Sequence, residues 1–342
     1  MRAVWMHEFG PPDVLAPADT PDPVAGPGQA VVRASYVSIT FIETQVRAGR
    51  SPRGDGGPAL PVIPGNGVGG TVTAVGAGVD EHLVGRRVVT TTGGTGGYAE
   101  QVAVPAGEVI DVPDAVDLAD ATALLADGRT AIGLHRLAAP GSGDWVLVEA
   151  AGGGVGSLLV QLAAGSGARV IGAAGNAAKR DLARDLGAHL TVDYTVPGWT
   201  GAILDATGGT GPTVAFDSVG GDIGRAAFEA MAPGGRFVLS GVASGTFTDT
   251  RPADGDRRGV RVTGLHELGA RGSAARHVGP AATSPSVAPD LNELTREALA
   301  MAATGHLRPT IGQVFALEEA AAAHAAIEAR ATLGKTLLTT AR

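Results

Sequence analysis

The chain has 342 residues, 44% hydrophobic and 18% charged, with a formal net charge of −8 and no cysteine. That length suggests about two domains with a generous core, and the composition has neither the low hydrophobicity nor the high charge of a disordered chain. The missing cysteine excludes disulfides, thiolate catalysis and cysteine-ligated zinc, and the acidic balance without a Lys/Arg block argues against a nucleic-acid partner.

The opening MRAVWMHEF reads as a strand rather than a signal segment, and no apolar run reaches about 18 residues, so neither export nor a membrane span is expected. The expected location is cytoplasmic. Residues 1–122 look β-rich: the alternating runs at 29–34, 70–75 and 86–92 are broken by Pro and Gly clusters. The segment 48–69, with four Pro and seven Gly, reads as loop. Near residue 118 the pattern changes, and 117–137 reads as helix. There follow a buried-type strand at 144–149, a helix at 155–164, a strand at 169–173, a helix at 177–186, strands at 190–192 and 213–217, a helix at 223–231, and strands at 235–240 and 260–265. Alternation of this kind means crossover units and a parallel sheet. The last third reads as helix 291–304, strand 308–315, Ala-rich helix 317–330 and strand 334–340, with Glu318, Glu319 and Glu328 on a solvated face.

The glycines of VEAAGGGVG, residues 148–156, follow a strand and open a helix, which is the context of a dinucleotide fingerprint. The strict spacing is G-x-G-x-x-G. Here Ala151 stands first, followed by Gly153 and Gly156; read otherwise, Ala150, Gly153 and Gly156 give A-x-x-G-x-x-G. In either reading Gly152, Gly153, Gly154 and Val155 form the turn and the first helical N–H groups, which suit a pyrophosphate, while Gly156 lets helix and strand approach. An NAD site places a carboxylate about 20 residues further on, for the ribose 2′-hydroxyl. The sequence there is GAAGNAAKR, with no carboxylate before Asp181 and with Lys179 and Arg180 instead. Among 26 basic residues only Lys179 and Lys335 are lysines. This turn suits a 2′-phosphate, hence NADP(H).

With these motifs in place the chain resembles the zinc-free quinone oxidoreductases (zeta-crystallin-like) of the medium-chain dehydrogenase/reductase superfamily. The resemblance is carried by AAGGGVGSLLVQLA at 150–163, FDSVGG at 216–221, GGRFVLSGVASG at 234–245, GGYAEQVAVP at 96–105 and the tail 305–338. It implies an α/β architecture: a Rossmann doubly wound parallel sheet domain, residues 123–305, inserted in a GroES-like β-rich domain of residues 1–122 and 306–342, with the active cleft between them. It implies NADPH as cofactor, a homodimer or tetramer, and a set of cofactor contacts. These are Asn176, Lys179 and Tyr194 at the 2′-phosphate, Thr130 near the nicotinamide, Ser218 and Val219 with Ser240, Gly241 and Val242 in the loops lining the nicotinamide half, and Lys335 in the tail motif. Zinc-containing relatives carry Cys near Thr40 and a His-Glu pair near Asn66-Gly67; Thr, Asn and Gly stand there, so no catalytic metal is expected. Quinone reductases typically carry Asn at the position of Thr40 and Tyr near Gln45, so this chain departs from the pattern at the substrate cleft.

The expected chemistry is hydride transfer from NADPH to a small electrophilic acceptor, a quinone or an α,β-unsaturated carbonyl compound, the latter making the protein an enone or enoyl reductase. A polar group beside the acceptor carbonyl stabilises the charge that develops there; Thr40 is the leading candidate, with Tyr36 and Thr92 behind it. His82 and His135 read as surface or packing residues. Some members of the family are abundant structural or RNA-binding proteins that retain NADPH, a reading the charge of −8 argues against.

Overall fold

The computed structural model describes residues 1–51, 56–251, 258–265 and 290–341. The chain forms two compact units: Met1–Arg129 with Thr295–Arg342, and Thr130–Leu294, so the second is inserted in the sequence of the first.

The elements of the N-terminal half are β1 (Arg2–Met6), β2 (Leu15–Asp19), β3 (Gln29–Ile39), α1 (Phe41–Arg47), β4 (Gly67–Val75), β5 (Arg87–Thr91), β6 (Gln101–Pro105) and β7 (Ile110–Asp111). Helix α2 (Leu118–Ala138) follows. The change of composition near residue 118 marks the start of this helix, and the units divide within it. The inserted unit holds β8 (Trp145–Glu149), α3 (Gly154–Gly165), β9 (Arg169–Ala173), α4 (Ala177–Asp185), β10 (Leu190–Val192), α5 (Thr200–Ala206), β11 (Val214–Asp217), α6 (Gly221–Glu229), β12 (Arg236–Leu239) and β13 (Arg261–Gly264). The chain ends with α7 (Leu291–Ala303), β14 (Ile311–Ala316), α8 (Ala320–Glu328) and β15 (Lys335–Thr339). Among the described residues no helix is long and apolar enough to cross a membrane.

In the first unit the sheet order is β14-β15-β3-β4-β5-β7, with β6 also on β3. The tail strand β15 runs antiparallel to β3, Leu337 opposite Ser38, and β4 places Gly67 opposite Ser38 on the other side. Val37 and Ile39 point into a core with Val4, Val32, Val68 and Leu338. Alternation puts Tyr36 and Ser38 on the opposite face. The Ala-rich tail helix packs into the core through Ala320 and Ala323, but Glu328 does not share an open face with Glu318 and Glu319: it is paired with Arg47, which is 1% exposed. The two lie 281 residues apart in sequence, so helical spacing alone places Glu328 wrongly on an open face.

In the second unit the parallel order is β10-β9-β8-β11-β12-β13. That is the doubly wound 3-2-1-4-5-6 order, whose two halves meet between β8 and β11, where ligands bind at the carboxyl ends of the strands. Its strands are near-continuous apolar runs because helices cover both faces; Leu147, Ile171, Ala215 and Phe237 form the core with Ile203, Ala227 and Phe228. Helix α5, between the Gly-rich turns at 198 and 208, was not expected from the sequence.

Candidate active site

The turn between β8 and α3 is built for close approach. Ala150 takes a left-handed conformation, φ 48°, the position the sequence leaves without glycine. Gly153 is the N-cap of α3, so no side chain covers the first-turn N–H groups. A Cβ on Gly156 would lie 2.2 Å from the carbonyl oxygen of Ala150. Ala151 is buried, and its N–H donates to Ala173 O at 3.1 Å, tying the turn to the end of β9. Gly152, Gly154 and Val155 complete the turn. A bare, glycine-lined helix N-terminus at the topological switch point fits a dinucleotide pyrophosphate.

The next turn is brought against it. Asn176 is the N-cap of α4, its Oδ1 accepting Lys179 N–H at 2.9 Å. A Cβ on Gly152 would meet Lys179 Cβ at 2.5 Å, so the lysine stem lies directly over the glycine turn. Tyr194, half-buried after β10, packs on Gly175. Asn176, Lys179 and Tyr194 are thus neighbours, whereas Arg180 is occupied: its Nη1 lies 2.6 Å from Asp193 Oδ2.

The loops after β11 and β12 are tied to one another. Ser218 Oγ and Ser240 Oγ are 2.8 Å apart, Ser240 Oγ also donates to Asp217 O, and a Cβ on Gly241 would meet Ser218 O at 2.5 Å. Val219 is buried, Val242 and Thr130 half-buried, the last in α2. Beneath these loops lies a pair of buried acids that sequence reasoning missed. Asp217 accepts N–H groups from Val219 and Gly220 at 3.1 and 2.7 Å and the Thr248 hydroxyl. Glu149 is 0% exposed, and one of its oxygens has no partner. Burial, then the charge and hydrogen bond of Asp217, push its carboxyl well above the ordinary range.

The first unit holds the substrate-side candidates. Thr40 is the N-cap of α1, and its hydroxyl donates to Glu43 Oε2 at 2.9 Å, its backbone N–H to the same oxygen. Glu43 Oε1 accepts the N–H of Asn66 at 2.8 Å. Glu43 therefore ties Thr40 to Asn66, although the sequence reading passed over it. The signal was present: T-x-x-E before a helix is a capping box. Burial raises the Glu43 carboxyl against the opposing pull of Thr40, Lys335 and Asn66. A narrow recess beside this cluster is lined by Ser38, Thr40, Asn66, Thr91, Leu125 and Arg129, among others. Thr92 is turned to another task, donating to Gly65 O at 2.8 Å. Tyr36 stands half-buried in β3, outside the residues that line the recess. Lys335 needs correction as a cofactor contact: it is 4% exposed and its Nζ sits 2.9 Å from Asp127 Oδ1, a buried ion pair inside the first unit. A lone buried ammonium is so costly that this pairing claims the charge. Among the described residues no group of three or more His, Asp or Glu is placed to hold a metal ion.

Comparison with known proteins agrees with this construction. The zinc-binding dehydrogenase family model matches residues 154–280 and the alcohol dehydrogenase GroES-like domain model residues 26–114. A quinone oxidoreductase of Pseudomonas aeruginosa is 33% identical over 98% of this chain and 99% of its own length. A 2-haloacrylate reductase of a Burkholderia species is 32% identical over 99% and 98%. A mycobacterial protein solved with NADPH bound superposes with a TM-score of 0.83 at 32% identity, covering 99% of this chain and all of that one. Identity at this level along the whole chain, together with the Rossmann and GroES-like folds, makes this protein an oxidoreductase of the zeta-crystallin-like quinone oxidoreductase family within the medium-chain dehydrogenases/reductases.

Proposed function

We propose that the chain is a zinc-independent, NADPH-dependent reductase of small electrophilic carbonyl acceptors, with quinones as its main class. One observation carries the cofactor half: the Lys179 stem lies on Gly152 of the glycine turn, with Asn176 and Tyr194 beside it and no carboxylate at the place an NAD site uses one. Gly153 and the first-turn N–H groups of α3 would hold the pyrophosphate, and Lys179 the 2′-phosphate. When bound, the nicotinamide supplies a hydride. NADPH in the related mycobacterial structure supports this choice.

On the acceptor side Thr40, backed by Glu43, is positioned to hold a hydrogen bond to a carbonyl oxygen as charge develops there. A second reading, reduction of an activated C=C bond, draws support from the 2-haloacrylate reductase relative and from Thr40 itself, which stands where quinone reductases typically carry Asn. Transfer from NADPH deuterated at C4 separates the two. Deuterium at the β carbon of a saturated ketone identifies alkene reduction. Turnover of quinone with no saturated ketone identifies quinone reduction. NADPH oxidation with neither hydroquinone nor saturated ketone formed contradicts the proposal; the quinone arm is read as hydroquinone because deuterium delivered to its oxygen exchanges with water.

A further inference from the structure

Arg129 is the unusual member of the recess in the first unit. It is half-buried and makes no hydrogen bond or ion pair among the described residues. Its acidic neighbours do not claim it: Asp127 is held by Lys335 at 2.9 Å, and Glu108 acts on it only through charge. Burial presses the guanidinium pKa down, against the pull of Asp127 and Glu108. A second feature of the same recess is independent of the first. Ser38, 2% exposed and opposite Gly67 in the sheet, has a hydroxyl with no hydrogen-bond partner. Burying a hydroxyl without a partner carries a free-energy penalty that native structures rarely leave standing. The Asn66 side-chain amide, whose backbone N–H serves Glu43, likewise makes no hydrogen bond among the described residues. Together these groups offer a planar five-donor fork, a hydroxyl and an amide, with Leu125 on one side.

We infer that this recess is a carboxylate subsite, and that the acceptor class of the enzyme includes conjugated carbonyl compounds bearing a carboxylate, which Arg129 grips through its fork while Ser38 and Asn66 complete the hydrogen bonds. This deepens the reductase reading and rests on it for the substrate role. Arginine suits the task because its donors match the two carboxylate oxygens.

The test uses 4-oxopent-2-enoate and its methyl ester as acceptors, with the saturated 4-oxopentanoate and its ester as ligands of the NADP⁺-loaded protein. Esterification makes the alkene intrinsically more electrophilic, so without a subsite the ester reacts faster. The inference predicts that the acid has the higher kcat/KM by tenfold or more. It predicts that calorimetry finds 4-oxopentanoate bound at least tenfold tighter than its ester. Arg129→Met should collapse both ratios at least tenfold, with Arg129→Lys intermediate and Ser38→Ala a smaller loss. A wild-type preference for the ester, ratios unchanged in Arg129→Met, or a loss of NADPH affinity in that variant without a change in the ratios overturns it. If a quinone is reduced but the acid neither binds nor reacts, the subsite falls while the reductase reading stands. If the acid binds tightly through Arg129 yet nothing oxidises NADPH, the subsite stands and the reductase reading fails.

Discussion

Lys179 lies over Gly152: a Cβ on that glycine would meet Lys179 Cβ at 2.5 Å and its Cα at 2.8 Å. The turn that follows the first strand of the inserted sheet and the turn that follows the second are therefore one surface. Lys179→Ala is expected to weaken NADPH binding by roughly tenfold to a hundredfold, the worth of a charge-assisted hydrogen bond, and NADH binding by no more than about twofold. Paired fluorescence titrations measure this, and equal losses for both nucleotides would remove the 2′-phosphate assignment.

The Thr40 hydroxyl proton is directed at Glu43. For Thr40 to donate to an acceptor, Glu43 must carry a proton and donate it in turn, and burial favours that by raising its pKa. Activity that uses this relay is full below the raised Glu43 pKa and falls as pH rises through it. Thr40→Val should cut kcat for an enone at least about tenfold and cost about 1 kcal/mol of stability through the lost cap. Thr40→Ser should restore both. A pH–rate profile identical in wild type and Glu43→Gln would contradict the relay.

Much of this arrangement was legible in the sequence. The alternating elements of the inserted unit follow from apolar runs and helical spacing, and strand-turn-helix around Gly153 announced the cofactor turn. Helix α1 (Phe41–Arg47) ends just before the segment dominated by glycine and proline and went unread, although T-x-x-E at Thr40 and Glu43 marked its start. What could not be read were long-range pairs. Lys335 looks like a spare cation near the chain's end, and its partner Asp127 is 208 residues away. Arg47 with Glu328, and Glu149 with Asp217, have no local pattern: packing of α1 against α8 brings the first pair together, and the order of β8 beside β11 the second.

Burial and Asp217 raise the pKa of the Glu149 carboxyl well above the ordinary range. Its folded pKa lies above the unfolded value of about 4.5, so the folded state keeps a proton that the unfolded chain releases as pH rises. Its contribution to stability is complete below about pH 4.5 and declines above it, up to the raised folded pKa. Glu149→Gln keeps a donor for Asp217 and an acceptor for Val219 N–H. The variant should melt higher than wild type at pH 8 and match it at pH 4.5. A melting difference independent of pH would count against a shared proton.

His324 has the opposite sign. It is 0% exposed, its Nε2 is 2.8 Å from the Tyr98 hydroxyl, and burial, then Arg47, lower its pKa to about 3. The unfolded chain binds a proton near pH 6.5 that the folded state refuses. Stability is full above pH 6.5 and is lost as pH falls toward 3. Between pH 7 and pH 5 this residue should cost about 2 kcal/mol. His324→Gln, which keeps an acceptor for Tyr98, should remove most of that slope in urea titrations; an unchanged slope would assign the acid sensitivity elsewhere.

The central claim is reductive turnover at the expense of NADPH. Its most direct test is NADPH oxidation by the purified protein, with an ortho-quinone and a conjugated enone measured side by side. The account predicts rapid NADPH consumption with at least one of them, yielding hydroquinone or saturated ketone in equal amount. Tight NADPH binding with neither acceptor reduced would contradict it.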